Sequence, residues 1–185
     1  MKIALAQLNP LIGDIKGNGD KILDSYEDTK NQNVDLILTP ELSLWGYPPR
    51  DLLFDSSRYE EQIEVLNKIT TSLSREFSKT SLLIGIAEKT QDRQLPNLFN
   101  SLVLVANGSW HVVARKQLLP TYDVFDEKRY FQSANSSSVI HLKTNQKNWT
   151  IGLTICEDLW VEEDLQKQRV KGSDPLEQLK ENQID

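Results

Sequence analysis

The chain has 185 residues, of which 21 are basic and 27 acidic, so its formal net charge is −6. With 38% hydrophobic and 26% charged residues, its composition is that of an ordinary globular domain and excludes a fibrous or low-complexity protein. The acidic balance argues against nucleic acid as a partner, because a phosphate backbone is bound by basic side chains.

Several features of the sequence predict its cellular setting. No apolar run approaches the roughly 18 residues of a membrane span, so we expect no membrane partner. The apolar run near the N-terminus is too short for a secretion signal. The single cysteine, Cys156, excludes an internal disulfide and a multi-cysteine metal site. Together these features predict a cytoplasmic protein in a reducing environment, with no metal site.

The hydrophobic pattern predicts a strand, a helix and a second strand at the start of the chain. Residues 2–8 alternate as a strand does, whereas residues 34–39 are mostly apolar and stop at Pro40. Between them, residues 17–20 (Gly-Asn-Gly-Asp) are predicted to cap a helix. The apolar face of that helix consists of Ile22, Leu23 and Tyr26.

A longer helix is predicted over residues 59–77, because apolar side chains recur there every three or four residues. Its apolar face consists of Ile63, Leu66, Ile69, Leu73 and Phe77. Residues 81–87 predict the next strand, and two segments around the turn Asn107-Gly108 predict a hairpin. Residues 116–138 have no clear period, which favours a functional loop.

The last third of the chain predicts two more strands, at residues 139–142 and 150–155, and a short helix after Pro175. The overall order, βαβαβ and then a run of strands, predicts an α/β fold. A core between two sheets with helices outside would bury the later strands. Residues 183–185 resemble the approach to a further strand, so we expect a domain truncated at its C-terminus.

Three side chains near strand ends are candidates for chemistry. Cys156 follows the strand 150–155, where a nucleophile is exposed to a cleft and the next backbone N–H can bind an oxyanion. Glu41 follows the strand that stops at Pro40, where partial burial would make its carboxylate a better base. Lys116 follows the hairpin, and near a thiol it would favour the thiolate.

Each candidate also has a plain structural interpretation. A lone cysteine is more often a small buried apolar residue, and Glu41 and Lys116 could be solvated side chains. His111 and His141 lie inside strand patterns, which favours structural roles and weakens a Cys-His protease interpretation. The sequence contains no Gly-rich phosphate loop, so no ATP site is predicted in it.

Four segments, in order and covering most of the chain, carry a family resemblance. They are residues 6–14 (AQLNPLIGD), 41–53 (ELSLWGYPPRDLL), 118–131 (LLPTYDVFDEKRYF) and 156–160 (CEDLW). They resemble the glutaminase domains of the glutamine-dependent NAD(+) synthetase family, which belong to the nitrilase, or carbon–nitrogen hydrolase, superfamily. The segment 118–131 is the most specific part of the match.

The resemblance implies a nitrilase-like α-β-β-α sandwich, with residues 1–185 forming an incomplete carbon–nitrogen hydrolase domain. It also implies a catalytic triad of Cys156, Glu41 and Lys116 that hydrolyses the side-chain amide of L-glutamine. Glu41 would move the proton, while Lys116 and the N–H of Glu157 would hold the oxyanion.

Two further residues in the most specific segment acquire roles from the resemblance. Tyr122 matches a tyrosine that contacts glutamine, and with Glu157 it would form the substrate-binding side of the site. Glu127 matches a second carboxylate of the catalytic group, which would orient Lys116. A salt bridge within Asp-Glu-Lys-Arg is the plain alternative for Glu127.

The resemblance further implies what this segment lacks. The family's downstream serine-containing strand and its C-terminal NAD synthetase domain, with a Ser-Gly-Gly loop, have no counterpart in the sequence. The glutaminase half-reaction needs no cofactor, whereas the absent synthetase domain would use ATP and Mg²⁺ to amidate deamido-NAD with the released ammonia. A homo-oligomer is implied as well.

Two alternatives remain open at this point. One is a free-standing nitrilase-family amidase or carbamoylase, which a chain ending soon after a completed sandwich would favour. The other is a catalytically silent fragment that serves only in assembly. Ammonia release from glutamine, with Cys156→Ala as control, separates the silent fragment from both enzymes.

Overall fold

The computed structural model describes residues 1–75, 79–91, 95–145, 147–160 and 174–185. These residues form seven strands and three α-helices. In chain order they are β1 (Ile3–Leu5), α1 (Ile15–Thr29), β2 (Leu36–Leu38), α2 (Ser57–Arg75), β3 (Ser81–Lys89), β4 (Leu98–Ala106), β5 (Ser109–Arg115), β6 (Ser138–Lys143), β7 (Asn148–Leu153) and α3 (Pro175–Lys180). The predicted α/β fold and the predicted order of elements are confirmed.

The strands form two sheets, one of five strands in the order β1-β2-β3-β4-β5 and one of two strands, β6-β7. β1 and β2 are parallel, with Ile3 opposite Leu36, and β2 and β3 are parallel, with Leu36 opposite Ser81. α1 and α2 provide the crossovers that parallel pairs require. β6 and β7 are antiparallel, as a short connection between them allows.

The chain divides into two compact units. The first comprises Met1–Ala87 and Leu102–Val112, and the second comprises Glu88–Ser101 and Val113–Asp185. In the first unit, α1 packs against α2. Buried apolar side chains of its helices and strands form the core: Ile15, Ile22, Leu36, Ile37, Leu66, Ile69, Leu82 and Ile84. Each such side chain contributes about 1.5–3 kcal/mol on burial.

The first helix begins before the predicted cap, so the prediction for residues 17–20 is wrong. The N-cap is Asp14, whose carboxylate accepts a hydrogen bond from Gly17 N–H at 3.0 Å. Gly19 lies inside α1, where a Cβ would be 2.3 Å from Cγ1 of Val65. The glycine therefore serves close packing of the two helices, and it does not end or start one.

The second helix buries a polar residue that the periodicity did not select. Ile63, predicted on the apolar face, is 40% exposed, whereas Gln62 is 2% exposed. The Gln62 amide accepts from Trp45 Nε1 at 2.6 Å and from Ala87 N–H at 3.2 Å, and it donates to Ala87 O at 3.0 Å. The amide can be buried without a large desolvation penalty because each of its polar atoms has a hydrogen-bond partner. Phe77 lies outside the described residues.

The second unit contains the two-stranded sheet and α3. Asp174 caps α3. Leu179 of that helix is buried against β7, and a Cβ added at Gly152 would lie 3.1 Å from its side chain. β7 ends at Leu153, two residues before the predicted strand end. Much of the polar tail from residue 160 lies outside the described residues. Within the described residues, none of the helices is long and apolar enough to cross a membrane.

Candidate active site

Glu41 occupies a tight turn that follows β2 in the first unit. Leu42, the next residue, has a positive φ of 47°, and the turn is closed by Leu42 O, which accepts from Trp45 N–H at 2.8 Å. Glu41 itself is partly buried. The turn therefore holds a carboxylate in a fixed backbone position at the carboxyl end of a parallel strand.

Gly85 of β3 makes room for this turn. A Cβ at Gly85 would lie 2.4 Å from Leu42 N and 2.6 Å from Pro40 O, which are both backbone atoms. Ser43 Oγ accepts from Gly85 N–H at 3.1 Å, and Leu44 N–H donates to Gly85 O at 3.2 Å. The Glu41 turn is thus seated directly on the β3 backbone, and only glycine allows that approach.

Lys116 lies just beyond β5 in the second unit, and its side chain is completely buried, at 0% exposure. Its backbone N–H donates to Asn100 O at 2.8 Å, and its carbonyl accepts from Ala134 N–H at 3.0 Å. The plain interpretation of Lys116 as a solvated strand-end lysine is therefore wrong. Hydrogen bonds to both the N–H and the carbonyl of Lys116 fix its backbone, and the side-chain cation lies inside the protein.

The ammonium of Lys116 is held by Glu127, the carboxylate predicted to orient it. Nζ lies 2.9 Å from Glu127 Oε1, and Glu127 is 5% exposed. Glu127 begins a 3₁₀ turn, Glu127–Arg129, and its N–H donates to Pro120 O. Taking a buried cation away from its partner is strongly unfavourable, so each of the two side chains fixes the other.

Cys156 begins the 3₁₀ turn Cys156–Leu159, and its side chain is exposed. The interpretation of this cysteine as a buried apolar residue is therefore wrong. Its φ is +48°, a left-handed conformation that costs a non-glycine residue of order 1–3 kcal/mol. A strained backbone of this kind persists only where surrounding contacts hold it in place. Here the conformation leaves the thiol exposed at a sharp turn.

Asp158 supplies those surroundings. Its Oδ1 accepts from Gln117 N–H at 3.0 Å and from Leu118 N–H at 2.8 Å, and its Oδ2 accepts from Ile155 N–H at 3.2 Å. Burial raises the pKa of Asp158, while these three backbone hydrogen bonds and the charge of Lys116 oppose the rise. The carboxylate joins the Cys156 turn to the segment that begins with Lys116.

Glu157, the residue after Cys156, turns its side chain inward. It is 6% exposed, and both its carboxylate oxygens lie 3.0 Å from the hydroxyl of Tyr122. Tyr122 is in turn packed edge-on against Phe125, with ring centroids 5.5 Å apart. The two residues predicted for the substrate-binding side are therefore in direct contact.

The second unit thus brings together five of the six predicted site residues, through three contacts: Lys116 with Glu127, Tyr122 with Glu157, and Asp158 with the Lys116 segment. Glu41 belongs to the first unit, and its role as a base stays a prediction. His111 and His141 lie in β5 and β6 and are exposed. Among the described residues, no group of three or more His, Cys, Asp or Glu side chains could hold a metal ion.

Sequence reasoning did not select Asp158. Its partners, Gln117 and Leu118, precede it by 41 and 40 residues. Both donate through the backbone N–H, which nearly every residue type has, so their side chains give no sign of the contact. One local signal was available. An aspartate two residues after a candidate nucleophile, inside a tight turn, is placed to accept backbone hydrogen bonds.

Comparisons with known proteins agree with the sequence resemblance. A family model described as carbon-nitrogen hydrolase matches residues 2–174. The glutamine-dependent NAD(+) synthetase of Synechocystis sp. is 41% identical over 180 residues, which is 96% of this chain and 31% of that protein. The protein of the same name from Thermotoga maritima is 36% identical over 86% of this chain and 26% of its own length. The chain therefore spans less than a third of the length of these curated relatives.

Solved structures give the same result for the fold. The glutamine-dependent NAD+ synthetase from Acinetobacter baumannii, in complex with ADP, superposes with a TM-score of 0.79 at 31% identity, covering 99% of this chain and 30% of that one. An amidase from Nesterenkonia sp. superposes with a TM-score of 0.64 at 23% identity, covering 85% of this chain and 56% of that one, which concerns the fold alone. The predicted nitrilase-like α/β fold is confirmed.

Proposed function

Because the chain belongs to the carbon–nitrogen hydrolase family, we propose that it is the glutaminase part of a glutamine-dependent NAD(+) synthetase and hydrolyses the side-chain amide of L-glutamine. The observation that carries the proposal is the exposed Cys156, held at a positive φ in a turn that Asp158 ties to the Lys116 segment. The relatives named above support the choice of glutamine over other amides.

The proposed reaction begins with the thiol of Cys156. An unperturbed thiol is only a few per cent thiolate at neutral pH, so a base is needed. Glu41 takes the thiol proton as the sulfur attacks the amide carbon of glutamine. The carbonyl π electrons move to oxygen, and the tetrahedral intermediate carries one negative charge there.

Lys116 and the backbone N–H of Glu157 stabilise that oxyanion in the proposed site. A buried cation that is already held in place costs no reorganisation when the negative charge develops. Glu127 supports this role because it fixes the Lys116 ammonium at 2.9 Å. When the tetrahedral intermediate collapses, the C–N bond breaks, Glu41 donates its proton, and ammonia leaves.

A glutamyl thioester then remains on Cys156. Glu41 takes a proton from water, whose oxygen attacks the thioester carbon. The C–S bond then breaks to release glutamate, and Glu41 returns the proton to the departing sulfur, which restores both the thiol and the carboxylate. We assign binding of the substrate's α-ammonium group to the buried Glu157 carboxylate, with Tyr122 beside it, because an inward-facing carboxylate next to the nucleophile suits a cation.

The proposal extends to the longer protein that the relatives represent. No cofactor takes part in the steps above, and the ammonia passes to a C-terminal NAD synthetase domain that uses ATP and Mg²⁺ to amidate deamido-NAD. A homo-oligomer in the cytoplasm is part of the same proposal. The synthetase domain is proposed from the names and lengths of the relatives and from the sequence resemblance, the homo-oligomer from the resemblance, and the cytoplasm from the single cysteine and the short apolar run at the N-terminus.

Ammonia release tests the proposal. The 185-residue chain is incubated with L-glutamine, with L-asparagine and with a short aliphatic amide, and each reaction is repeated with Cys156→Ala. We expect release from glutamine to be much faster than from the other two amides, and to be abolished in the variant. Preference for the aliphatic amide would favour a free-standing amidase, and no Cys156-dependent release from any substrate would favour a silent assembly fragment.

A further inference from the structure

Asp158 joins two segments of the second unit that both carry proposed catalytic groups. The side chain is 3% exposed, and its two oxygens accept three backbone hydrogen bonds. Two come from Gln117 and Leu118, directly after Lys116, and one comes from Ile155, directly before Cys156. One carboxylate thus connects the residue before Cys156, the proposed nucleophile, to the two residues after Lys116, the proposed oxyanion-binding cation.

The Cys156 end of this link is strained and requires support. Cys156 has a φ of +48°, and its turn is closed by the Asp158 N–H, which donates to Ile155 O at 3.1 Å. The carboxylate of the same residue accepts from Ile155 N–H. Asp158 therefore pairs with both polar backbone groups of Ile155, the residue that leads into the strained Cys156.

The Lys116 end of the link is held at the backbone as well. Lys116 itself is paired with Asn100 and Ala134, and the next two N–H groups both point at Oδ1 of Asp158. Replacing the carboxylate removes their acceptor from a buried position. The two segments would then be free to shift relative to each other by a fraction of an ångström, which is enough to disturb catalysis.

We infer that Asp158 is a positioning residue that keeps the Cys156 turn in register with the Lys116 segment, an inference that rests on the proposed function. It acts through the backbone of its neighbours and contacts no reacting atom in the proposed mechanism. Its effect is geometric, and its negative charge is secondary, because the bridge to Gln117 and Leu118 requires only one oxygen atom.

Two neutral substitutions separate geometry from charge. Asp158→Asn keeps an oxygen that can accept from both Gln117 and Leu118 and loses only the acceptor for Ile155 N–H, whereas Asp158→Ala keeps no acceptor. Both variants remove the same charge. Both also lack the acceptor for Ile155 N–H, so any difference between the two measures the bridge to Gln117 and Leu118 and not the loss of the anion.

The readout is the alkylation of Cys156, the single thiol of the chain, by iodoacetamide as a function of pH. This measurement does not require glutamine turnover. We expect the midpoint of the Asp158→Ala profile to lie about one pH unit above that of Asp158→Asn, because the loosened segment no longer holds the Lys116 cation where it favours the thiolate. We also expect kcat for glutamine hydrolysis to be about 100-fold lower in Asp158→Ala than in Asp158→Asn.

Thermal unfolding of each variant establishes that the comparison is made on folded protein. If Asp158→Ala does not fold, Asp158→Ser replaces it, since serine is also neutral and its hydroxyl is too short to bridge both segments. Coincident alkylation profiles for the two neutral variants would overturn the inference. Profiles that differ in a chain that does not hydrolyse glutamine would support the positioning role and overturn the proposed function instead.

Discussion

The Nζ atom of Lys116 lies 2.9 Å from Oε1 of Glu127, and the two side chains are 0% and 5% exposed. A buried pair of this kind depends on both members, because either charge alone would be left in a medium that solvates it poorly. In the proposed mechanism, Lys116 binds the oxyanion, so Glu127 determines the position of the Lys116 ammonium group.

Replacing Glu127 by glutamine should lower kcat more than it changes KM. The amide keeps the shape and an oxygen acceptor but holds the ammonium of Lys116 less strongly, and we expect a loss of about 10- to 100-fold in kcat. The measurement is the initial rate of ammonia release over a range of glutamine concentrations. Asp126→Asn is the matched control, since Asp126 is the adjacent, exposed carboxylate. Equal effects of the two substitutions would refute the role given to Glu127.

Glu157→Gln should affect glutamine binding and leave the chemical step nearly unchanged. The backbone N–H that is proposed to bind the oxyanion is retained, while the buried carboxylate assigned to the α-ammonium is lost. We expect KM for glutamine to rise about 10- to 100-fold with kcat within a few fold. Tyr122→Phe, which removes one hydrogen bond to Glu157, should raise KM less.

Butyramide, which has no α-ammonium group, provides the control substrate for these two variants. If the chain hydrolyses it slowly, Glu157→Gln should not change its KM. An unchanged KM for glutamine together with a collapse of kcat would contradict the assignment of Glu157 to substrate binding.

Gly85→Ala tests the turn that carries Glu41. The added methyl group would meet backbone atoms of residues 40 and 42 at 2.6 and 2.4 Å, so the turn must move. If Glu41 is the base, displacement of its backbone should lower kcat by about 100-fold. Gly152→Ala is the comparison, because its methyl group would meet only side-chain atoms, the nearest of them in Leu179 at 3.1 Å. Full activity of a folded Gly85→Ala variant would remove Glu41 from the mechanism.

Gln62→Leu tests the buried amide at the centre of the first unit. The substitution leaves Trp45 Nε1 and both backbone groups of Ala87 without their partner, and each buried unsatisfied group costs about 1–3 kcal/mol. We therefore expect the free energy of unfolding to fall by at least about 3 kcal/mol in urea denaturation. Ile63→Gln on the exposed side of the same helix should change it by less than about 0.5 kcal/mol. Similar losses in both variants would mean that the helix faces are misassigned.

The elements that sequence predicted well are those with a strong local pattern. α2 has apolar residues at helical spacing, and the hairpin of β4 and β5 has Asn107-Gly108 at its turn, where Asn107 adopts a positive φ of 51°. The start of α1 was missed because Asp14 acts as the cap through a side-chain hydrogen bond, while Gly17 and Gly19, which lie inside the helix, suggested a cap at residues 17–20. Gln62 was missed because periodicity counts apolar residues and does not register an amide with paired polar atoms.

The candidate site was predictable to the extent that its chemistry lies in short motifs. The segment 156–160 makes Cys156 a candidate, and the segment 118–131 makes Tyr122 and Glu127 candidates, and their roles stay predictions. Contacts between residues distant in sequence could not be predicted from the residue types alone. The contact between Tyr122 and Glu157 joins positions 35 apart, and the links from Asp158 join positions 40 and 41 apart. Such contacts depend on how the strands and loops are assembled, which no local pattern encodes.

Whether Cys156 carries the acyl group is measured most directly by the mass of the chain after it has reacted with L-glutamine and been quenched in acid. We expect a glutamyl adduct, equal to glutamine less ammonia, on the peptide that contains Cys156, and no adduct in Cys156→Ala. Ammonia release by Cys156→Ala at the rate of the native chain, or an adduct on any other residue, would contradict the proposed role of Cys156.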